Sequence, residues 1–174
     1  KKILIGVPCY NEEGNIDLFF ERLSKTLNKI INFQFDIIFL DDGSKDGTWE
    51  IIEKLKLNNG KYKINGIKFS RNFGKEIAIK CMLERAEKYD YFITIDSDLQ
   101  HPPELIEELI NISSSTKNRI ILTKKTNKNS NFLRLFTAKV FYHTFNLFSE
   151  FKLINGLSDF SLIDNKIVRT INSF

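Results

Sequence analysis

Asp96 and Asp98 stand two residues apart in DSDLQHPPE (96–104), where the apolar run Tyr91–Ile95 gives way to polar, turn-forming residues. Side chains at that spacing on an extended strand point the same way, so both carboxylates can face one site. Oxygen ligands suit a hard divalent cation, and Mg²⁺ typically takes one or two carboxylates beside phosphate oxygens. Such an ion neutralises charge developing on a diphosphate leaving group. An Asp-x-Asp triplet alone is more often a helix cap or a turn. Here Gln100, His101 and the Pro102-Pro103 pair follow it, which favours the metal.

Three further blocks precede it in fixed order: PCYNEE (8–13), DDGSKDGT (41–48) and SRNFGKE (70–76). Each sits at the end of a strand-like run, where open α/β sheets bind ligands. In the first, Pro8 stiffens the strand exit, Tyr10 offers an aromatic surface and Glu12 an acceptor for a ribose or base. Cys9 has no basic neighbour in sequence and reads as buried packing rather than a nucleophile. In the second, Gly43 permits a tight turn that brings Asp41 or Asp42 to a base N–H, while Asp46-Gly47 completes a surface turn. In the third, Arg71 and Lys75 are placed to meet phosphate, and Phe73 reads as core. A histidine ahead of two prolines reads as a structural hydrogen-bonding residue, so His101 is not taken as a base.

These blocks need a scaffold, and the chain alternates strand and helix patterns that supply one. Strands are expected over Lys2–Val7, Phe35–Leu40, Ile64–Phe69, Tyr91–Ile95 and Arg119–Thr123, with a short last one over Asp159–Ile163. Between them fall a helix capped by Asn15, with apolar positions Ile16, Phe19, Phe20, Leu23 and Leu27, and a helix over Thr48–Leu57 capped by Thr48. Others run from about Lys75 to Lys88, from the two prolines onward, and over 132–149, after a polar loop at Lys124–Asn131. The fold class is α/β: a mostly parallel sheet flanked by helices on both faces, in three layers. No GxGxxG follows the first strand, no GxxxxGK[ST] loop occurs, and no base-reading element accompanies the positive charge, so nucleic acid is not an expected partner.

At 174 residues with 42% hydrophobic content, the chain reads as a single domain. A domain of this size buries roughly 70% of its unfolded surface and needs no staple. Cys9 and Cys81 read as reduced thiols of a cytoplasmic protein. No apolar run approaches the ~20 residues of a membrane helix. The net charge of +4 is concentrated: Leu109–Ser149 holds no acid but seven bases, Lys117, Arg119, Lys124, Lys125, Lys128, Arg134 and Lys139. That stretch is either a solvated face or a surface for phosphate or anionic lipid. The phenylalanines of 132–149 read as packed core or a homo-oligomer contact, with the basic residues beside them near a membrane surface as a lesser reading.

With these motifs in order, the chain resembles the family 2 glycosyltransferases of GT-A (Rossmann-like) fold, from Lys2 to about Ile171. SRNFGKE and DSDLQHPPE are similar to the polyprenyl-phosphate branch, the bactoprenol glucosyltransferases and dolichol-phosphate mannose synthases. The resemblance implies that Pro8, Tyr10, Glu12 and Asp42 hold the nucleoside, with Arg71, Lys75 and Ser97 also at the nucleotide sugar. Asp96 and Asp98 would hold Mg²⁺ or Mn²⁺ and the diphosphate, Gln100 would line the sugar pocket, and Asp159 would orient the acceptor. Lys124 stands where relatives often carry arginine, which keeps the charge but loses the bidentate fork. Relatives commonly read GDFRL and then arginine. This chain has Ser161 within SDFSL and then Asn165, so the segment lacks both of those arginine cations.

The expected activity is inverting, metal-dependent transfer of a hexose from a nucleotide-diphosphate sugar, UDP-linked, to polyprenyl phosphate at the cytoplasmic membrane face. The chain itself is then a soluble catalytic portion, residues 1–174, lacking the C-terminal transmembrane helices of relatives. An anionic phosphate acceptor needs positioning more than deprotonation, which suits a chain with no unambiguous base. The rivals are a family 2 transferase extending a cell-surface polysaccharide and a degenerate, non-catalytic nucleotide-sugar-binding scaffold.

Overall fold

A computed structural model describes residues 1–58, 60–116, 118–124 and 157–174. The expected helix at 132–149 and most of the basic stretch, including Lys117, Lys125, Lys128, Arg134 and Lys139, lie outside them. Six strands, Lys2–Cys9 (β1), Gln34–Asp41 (β2), Lys63–Lys68 (β3), Tyr91–Thr94 (β4), Ile120–Lys124 (β5) and Leu157–Asp164 (β6), form one sheet in the order β3-β2-β1-β4-β6-β5. β3, β2, β1 and β4 are parallel, and β6 runs antiparallel to β4, with Ser161 opposite Thr94 and Asp164 opposite Tyr91. By its internal contacts the chain divides into residues 1–121 with 159–174, and residues 122–158. Of the second unit only 122–124 and 157–158 are described.

β1 and β2 are buried on both faces, as their continuous apolar runs require of parallel strands covered on two sides. Alternation along each strand sorts the side chains. Ile3, Ile5, Val7, Phe35, Ile37 and Phe39 meet three helices, Ile16–Leu27 (α1), Thr48–Asn58 (α2) and, after a 3₁₀ turn at Pro103–Leu105, Ile106–Thr116 (α4). Leu4, Ile38, Leu40 and Phe92 point the other way, to Ala78, Met82 and Leu83 of Lys75–Arg85 (α3) and Val168 of Asn165–Asn172 (α5). Two apolar layers therefore sandwich the sheet, as the three-layer expectation has it. Among the described residues no helix is long and apolar enough to cross a membrane. Cys9 and Cys81 are free thiols.

Two helix starts differ from the sequence reading. Asn15 stands at the start of α1 without capping it; its Nδ2 donates instead to Glu12 Oε2 at 2.7 Å. At α2 the cap is Asp46, whose Oδ1 accepts from Thr48 N at 3.1 Å and Thr48 Oγ1 at 2.6 Å. A carboxylate at a helix N-terminus gains from the aligned peptide dipoles as well as from the hydrogen bond. It therefore displaces the hydroxyl from the cap, and Thr48 Oγ1 accepts from Glu12 N at 2.8 Å.

The chain leaves β1 for β2 on one side and later adds β4 on the other. That reversal opens a crevice beyond the carboxyl ends of β1 and β4, the place where open α/β sheets take ligands. Gly6 lets the two strands close beneath it: a β-carbon there would meet the Phe92 ring at 2.7 Å and Met82 Sδ at 3.1 Å. Phe92 is fully buried and has no space to retreat. Gly6→Ala is expected to destabilise the fold by about 1–3 kcal/mol, the range for an overpacked core. A lower denaturant midpoint with unchanged slope checks this; an unchanged midpoint contradicts the packing account.

Candidate active site

Beyond β1 the chain turns at Asn11, whose positive φ of 55° sends the next residues back across the end of β2. A lattice of main-chain-to-side-chain bonds then joins PCYNEE to DDGSKDGT. Asn11 N donates to Ser44 Oγ and Lys45 N returns a bond to Asn11 Oδ1, at 2.9 and 3.0 Å. Glu13 N donates to Asp46 Oδ2 at 3.2 Å, and Gly47 N donates to Glu13 Oε2 at 2.7 Å. The reciprocity satisfies turn amides that have no helix or strand partner. It also fixes Tyr10 and Glu12 at the mouth of the crevice.

The third block is held by the second. Gly43 has φ +71°, and a β-carbon on it would lie 2.4 Å from the Arg71 carbonyl carbon, so only glycine lets the 70–74 segment pass. Asp42, 4% exposed, accepts from Phe73 N at 2.8 Å through Oδ1 and from Gly74 N at 2.9 Å through Oδ2. Its first role in the folded chain is thus to anchor this loop. Asp41 is fully buried, with Oδ1 accepting from Ser44 N at 2.9 Å. Phe73, expected in the core, is 42% exposed: it stands edge-on to Phe69 with Arg71 4.9 Å above its ring. Anchoring through the Phe73 amide holds the backbone at the surface, so the ring covers Phe69 from outside.

Gly74, at φ +96°, turns the chain into α3, and Lys75 is that helix's first residue. Its ammonium lies 2.6 Å from Asp96 Oδ1, 2.8 Å from Asp96 Oδ2 and 2.7 Å from Asp159 Oδ2. Burial works to lower the Lys75 pKa, but the hydrogen bonds and charges of Asp159 and Asp96 outweigh it and hold it above the ordinary lysine value. Asp98 Oδ1 accepts from Gln100 N at 3.0 Å across Leu99, a non-glycine residue at φ +61°.

Pro8, Cys9, Tyr10, Glu12, Asp42, Asn72, Gly74, Lys75, Ala78, Asp96, Ser97 and Asp98 line one cleft of about 290 Å³. All four blocks therefore converge. Asp159 reaches the group through Lys75. Asp159, Arg71 and Gln100, all exposed, do not line the cleft, and Lys124, in the second unit, is the exposed last residue of β5. Asn72, Gly74 and Ala78 also line the cleft; none carries a charge that would mark it in sequence beside Arg71 and Lys75, and Ala78 stands one helical turn beyond Lys75. Burial pushes the Cys9 thiol far above its ordinary pKa, so it is protonated packing, as expected.

Asp96, Asp98 and the buried His101 each present one ligand atom, all within 4.8 Å of one another, with His101 Nδ1 3.5 Å from Asp96 Oδ2. Two carboxylates and an imidazole fit a divalent cation that accepts both oxygen and nitrogen. His101, read from sequence as structural, belongs to this cluster because the turn over Leu99 and Gln100 brings it back over Asp96. Ser161 is buried in β6, and Asn165 Nδ2 donates to the carbonyls of Glu87 and Tyr89, a structural role.

Residues 4–171 match Glycosyl transferase family 2, and the chain belongs to that family. It is 36% identical over 170 residues to an uncharacterized glycosyltransferase of Synechocystis sp., covering 98% of this chain and 52% of that protein. It is 32% identical over 170 residues to the prophage bactoprenol glucosyl transferase homolog of Escherichia coli K12, covering 98% of this chain and 54% of the relative. The chain thus spans about half the length of the curated relatives it matches. Staphylococcus aureus TarS 1–349 superposes with a TM-score of 0.67 at 20% identity, over 99% of this chain and 49% of that one. Mycobacterium tuberculosis glucosyl-3-phosphoglycerate synthase, solved with Mn²⁺, UDP and phosphoglyceric acid, superposes with a TM-score of 0.62 at 20% identity, over 96% and 57%. These similarities establish the GT-A fold.

Asp42→Asn keeps the volume but turns an NH₂ group towards one of the two loop amides. Hydrogen bonds to charged groups are worth about 1.5–3 kcal/mol, and a loss of that order is expected. Amide exchange at Phe73 and Gly74 should accelerate with it. Exchange as slow as in the unsubstituted chain would show that Asp42 does not anchor the loop.

Proposed function

We propose that this chain carries the donor site of an inverting hexosyltransferase that uses a nucleotide-diphosphate sugar, UDP-linked, and a polyprenyl phosphate acceptor at the cytoplasmic membrane face. The observation that carries the reading is that Tyr10, Glu12, Asp96 and Asp98 line one and the same cleft. An aromatic ring and a hydrogen-bonding carboxylate suit a nucleoside, and the paired aspartates suit a cation and diphosphate. Relatives named bactoprenol glucosyl transferases, from Escherichia coli and Shigella phage SfV, each 32% identical, support the lipid-phosphate acceptor. TarS has been solved with UDP-GlcNAc, and a Pyrobaculum calidifontis mannosyltransferase with GDP-Man and Mn²⁺, which supports the donor class and the cation.

In this reading an acceptor phosphate oxygen forms a bond to the anomeric carbon from the face opposite the diphosphate. The bond from that carbon to the β-phosphate oxygen breaks, and the nucleoside diphosphate leaves with the electron pair. Asp96, Asp98 and His101 would hold Mg²⁺ or Mn²⁺, which supplies charge neutralisation at the diphosphate. Tyr10 and Glu12 bind and orient the nucleoside, and the small wall residues Gly74 and Ala78 leave room beside Lys75. The Asp159 carboxylate is already tied to an ammonium and the Cys9 thiol is held protonated. An acceptor that arrives anionic needs neither as a base, and the work left to the protein is positioning and charge stabilisation.

Calorimetric titration with UDP, GDP and UDP-glucose, with and without Mn²⁺, tests the donor site on this chain and on Asp98→Asn. Mn²⁺-dependent binding of the UDP ligands, weakened at least about tenfold in the variant, is the expected result, equivalent to about 1.4 kcal/mol. A folded protein that binds no nucleotide under either condition overturns the proposal.

A further inference from the structure

Lys75 makes contacts that a simple phosphate-binding lysine does not explain. Its ammonium faces both oxygens of Asp96, at 2.6 and 2.8 Å, and the third contact at 2.7 Å is Asp159 Oδ2. Asp96 is also the residue that, with Asp98 and His101, offers ligand atoms to a cation. Each Asp96 oxygen has more than one lone pair, so an ammonium and a divalent ion held on it compete chiefly for the charge of the same carboxylate. They also repel one another inside a partly closed cleft, where charges are screened less than in water.

We propose that Lys75 is a resident counter-cation: it neutralises Asp96 while the donor site is empty and must yield that carboxylate when a divalent ion binds. This rests on the donor-site reading above and adds a rule of occupancy to it. Asp96, Asp98 and Asp159 bring three negative charges together, and Lys75 supplies one positive charge, leaving an excess that draws in a divalent ion. The metal alone gains Asp96 only by displacing an ammonium that is already well bonded. A nucleotide diphosphate changes the balance, because its phosphate oxygens give the displaced ammonium a new partner.

The side chain is built for such a move. Lys75 sits at the first position of α3, directly after the left-handed Gly74, and its side chain remains 35% exposed. A lysine is a compact point charge on a flexible four-carbon stem, so it can exchange one oxygen partner for another without moving the backbone. A diphosphate bound in this cleft would lie within reach of Lys75, because Lys75, Gly74 and Asp96 all line it. Cation and nucleotide are therefore coupled: each binds more tightly when the other is present, and by linkage the factor is the same in both directions. Lys75 is in this sense a positioning residue, acting on the metal through Asp96.

The test is Mn²⁺ affinity, measured by electron paramagnetic resonance of free Mn²⁺, for the unsubstituted chain, Lys75→Met and Lys75→Arg, each with and without UDP. With Mn²⁺ alone, Lys75→Met should bind more tightly by at least about fivefold, the lower end of typical coupling between sites. Lys75→Arg, which retains the charge, should stay near the unsubstituted value. The gain in Mn²⁺ affinity on adding UDP should shrink in Lys75→Met. A merely structural role for Lys75 cannot tighten metal binding, so equal or weaker Mn²⁺ binding by folded Lys75→Met overturns the proposal, as does absence of Mn²⁺ binding in all three proteins. Should Lys75→Met not fold, tighter Mn²⁺ binding by Lys75→Gln is the required result, and its absence overturns the proposal equally. Failure of the donor-site reading has a different signature: Mn²⁺ alone distinguishes the variants, yet UDP changes nothing in any of them.

Discussion

Like charges gathered at one edge of a sheet repel, and the architecture of this chain is organised around that constraint. Parallel strands deliver their carboxyl ends to the same side, and here those ends carry Asp41, Asp42, Asp96 and Asp98, with Glu12 beside them. Each acidic group is given a distinct partner. Asp41 accepts from a turn amide, Asp42 from two loop amides, Asp98 from the Gln100 amide, and Asp96 is matched by the Lys75 ammonium. Backbone amides satisfy three of these without adding a cation, and of the four only Asp96 is matched by a lysine.

This division separates anchoring from chemistry. Asp42 fixes the loop that presents Lys75, and the close approach at Gly43 fixes where that loop crosses. The reciprocal bonds between residues 11–13 and 44–48 do the same for the segment that carries Tyr10 and Glu12. The cleft is consequently shaped by segments far apart in sequence that hold one another, rather than by a single preformed loop. Preorganisation of this kind lets a site stabilise charge without reorganising at the moment of reaction.

Family membership and fold agree with this physical reading from separate directions. Residues 4–171 match the family, while solved structures at 20% identity or below share the fold with TM-scores of 0.61–0.67. At such identity the shared feature is the fold, and in this chain it is strand order that opens the crevice between β1 and β4.

What the sequence alone determined is the part governed by local rules. Buried strands read as apolar runs, the α1 face at helical spacing, and the four polar blocks at strand ends were all legible, because periodicity and turn chemistry act within a few residues. The Asp96/Asp98 pair and the packing role of Cys9 were legible for the same reason. Tertiary structure alone decided who partners whom. Asp46 rather than Thr48 caps α2, since the cap depends on how the turn folds against Glu13. Phe73 lies outside the core because Asp42, 31 positions earlier, holds its amide at the surface. Lys75 binds Asp96 and Asp159 because sheet order brings α3, the end of β4 and β6 together, a fact no local pattern encodes. His101 joins the acidic pair through a left-handed turn at Leu99 that propensity disfavours and only the packed chain sustains.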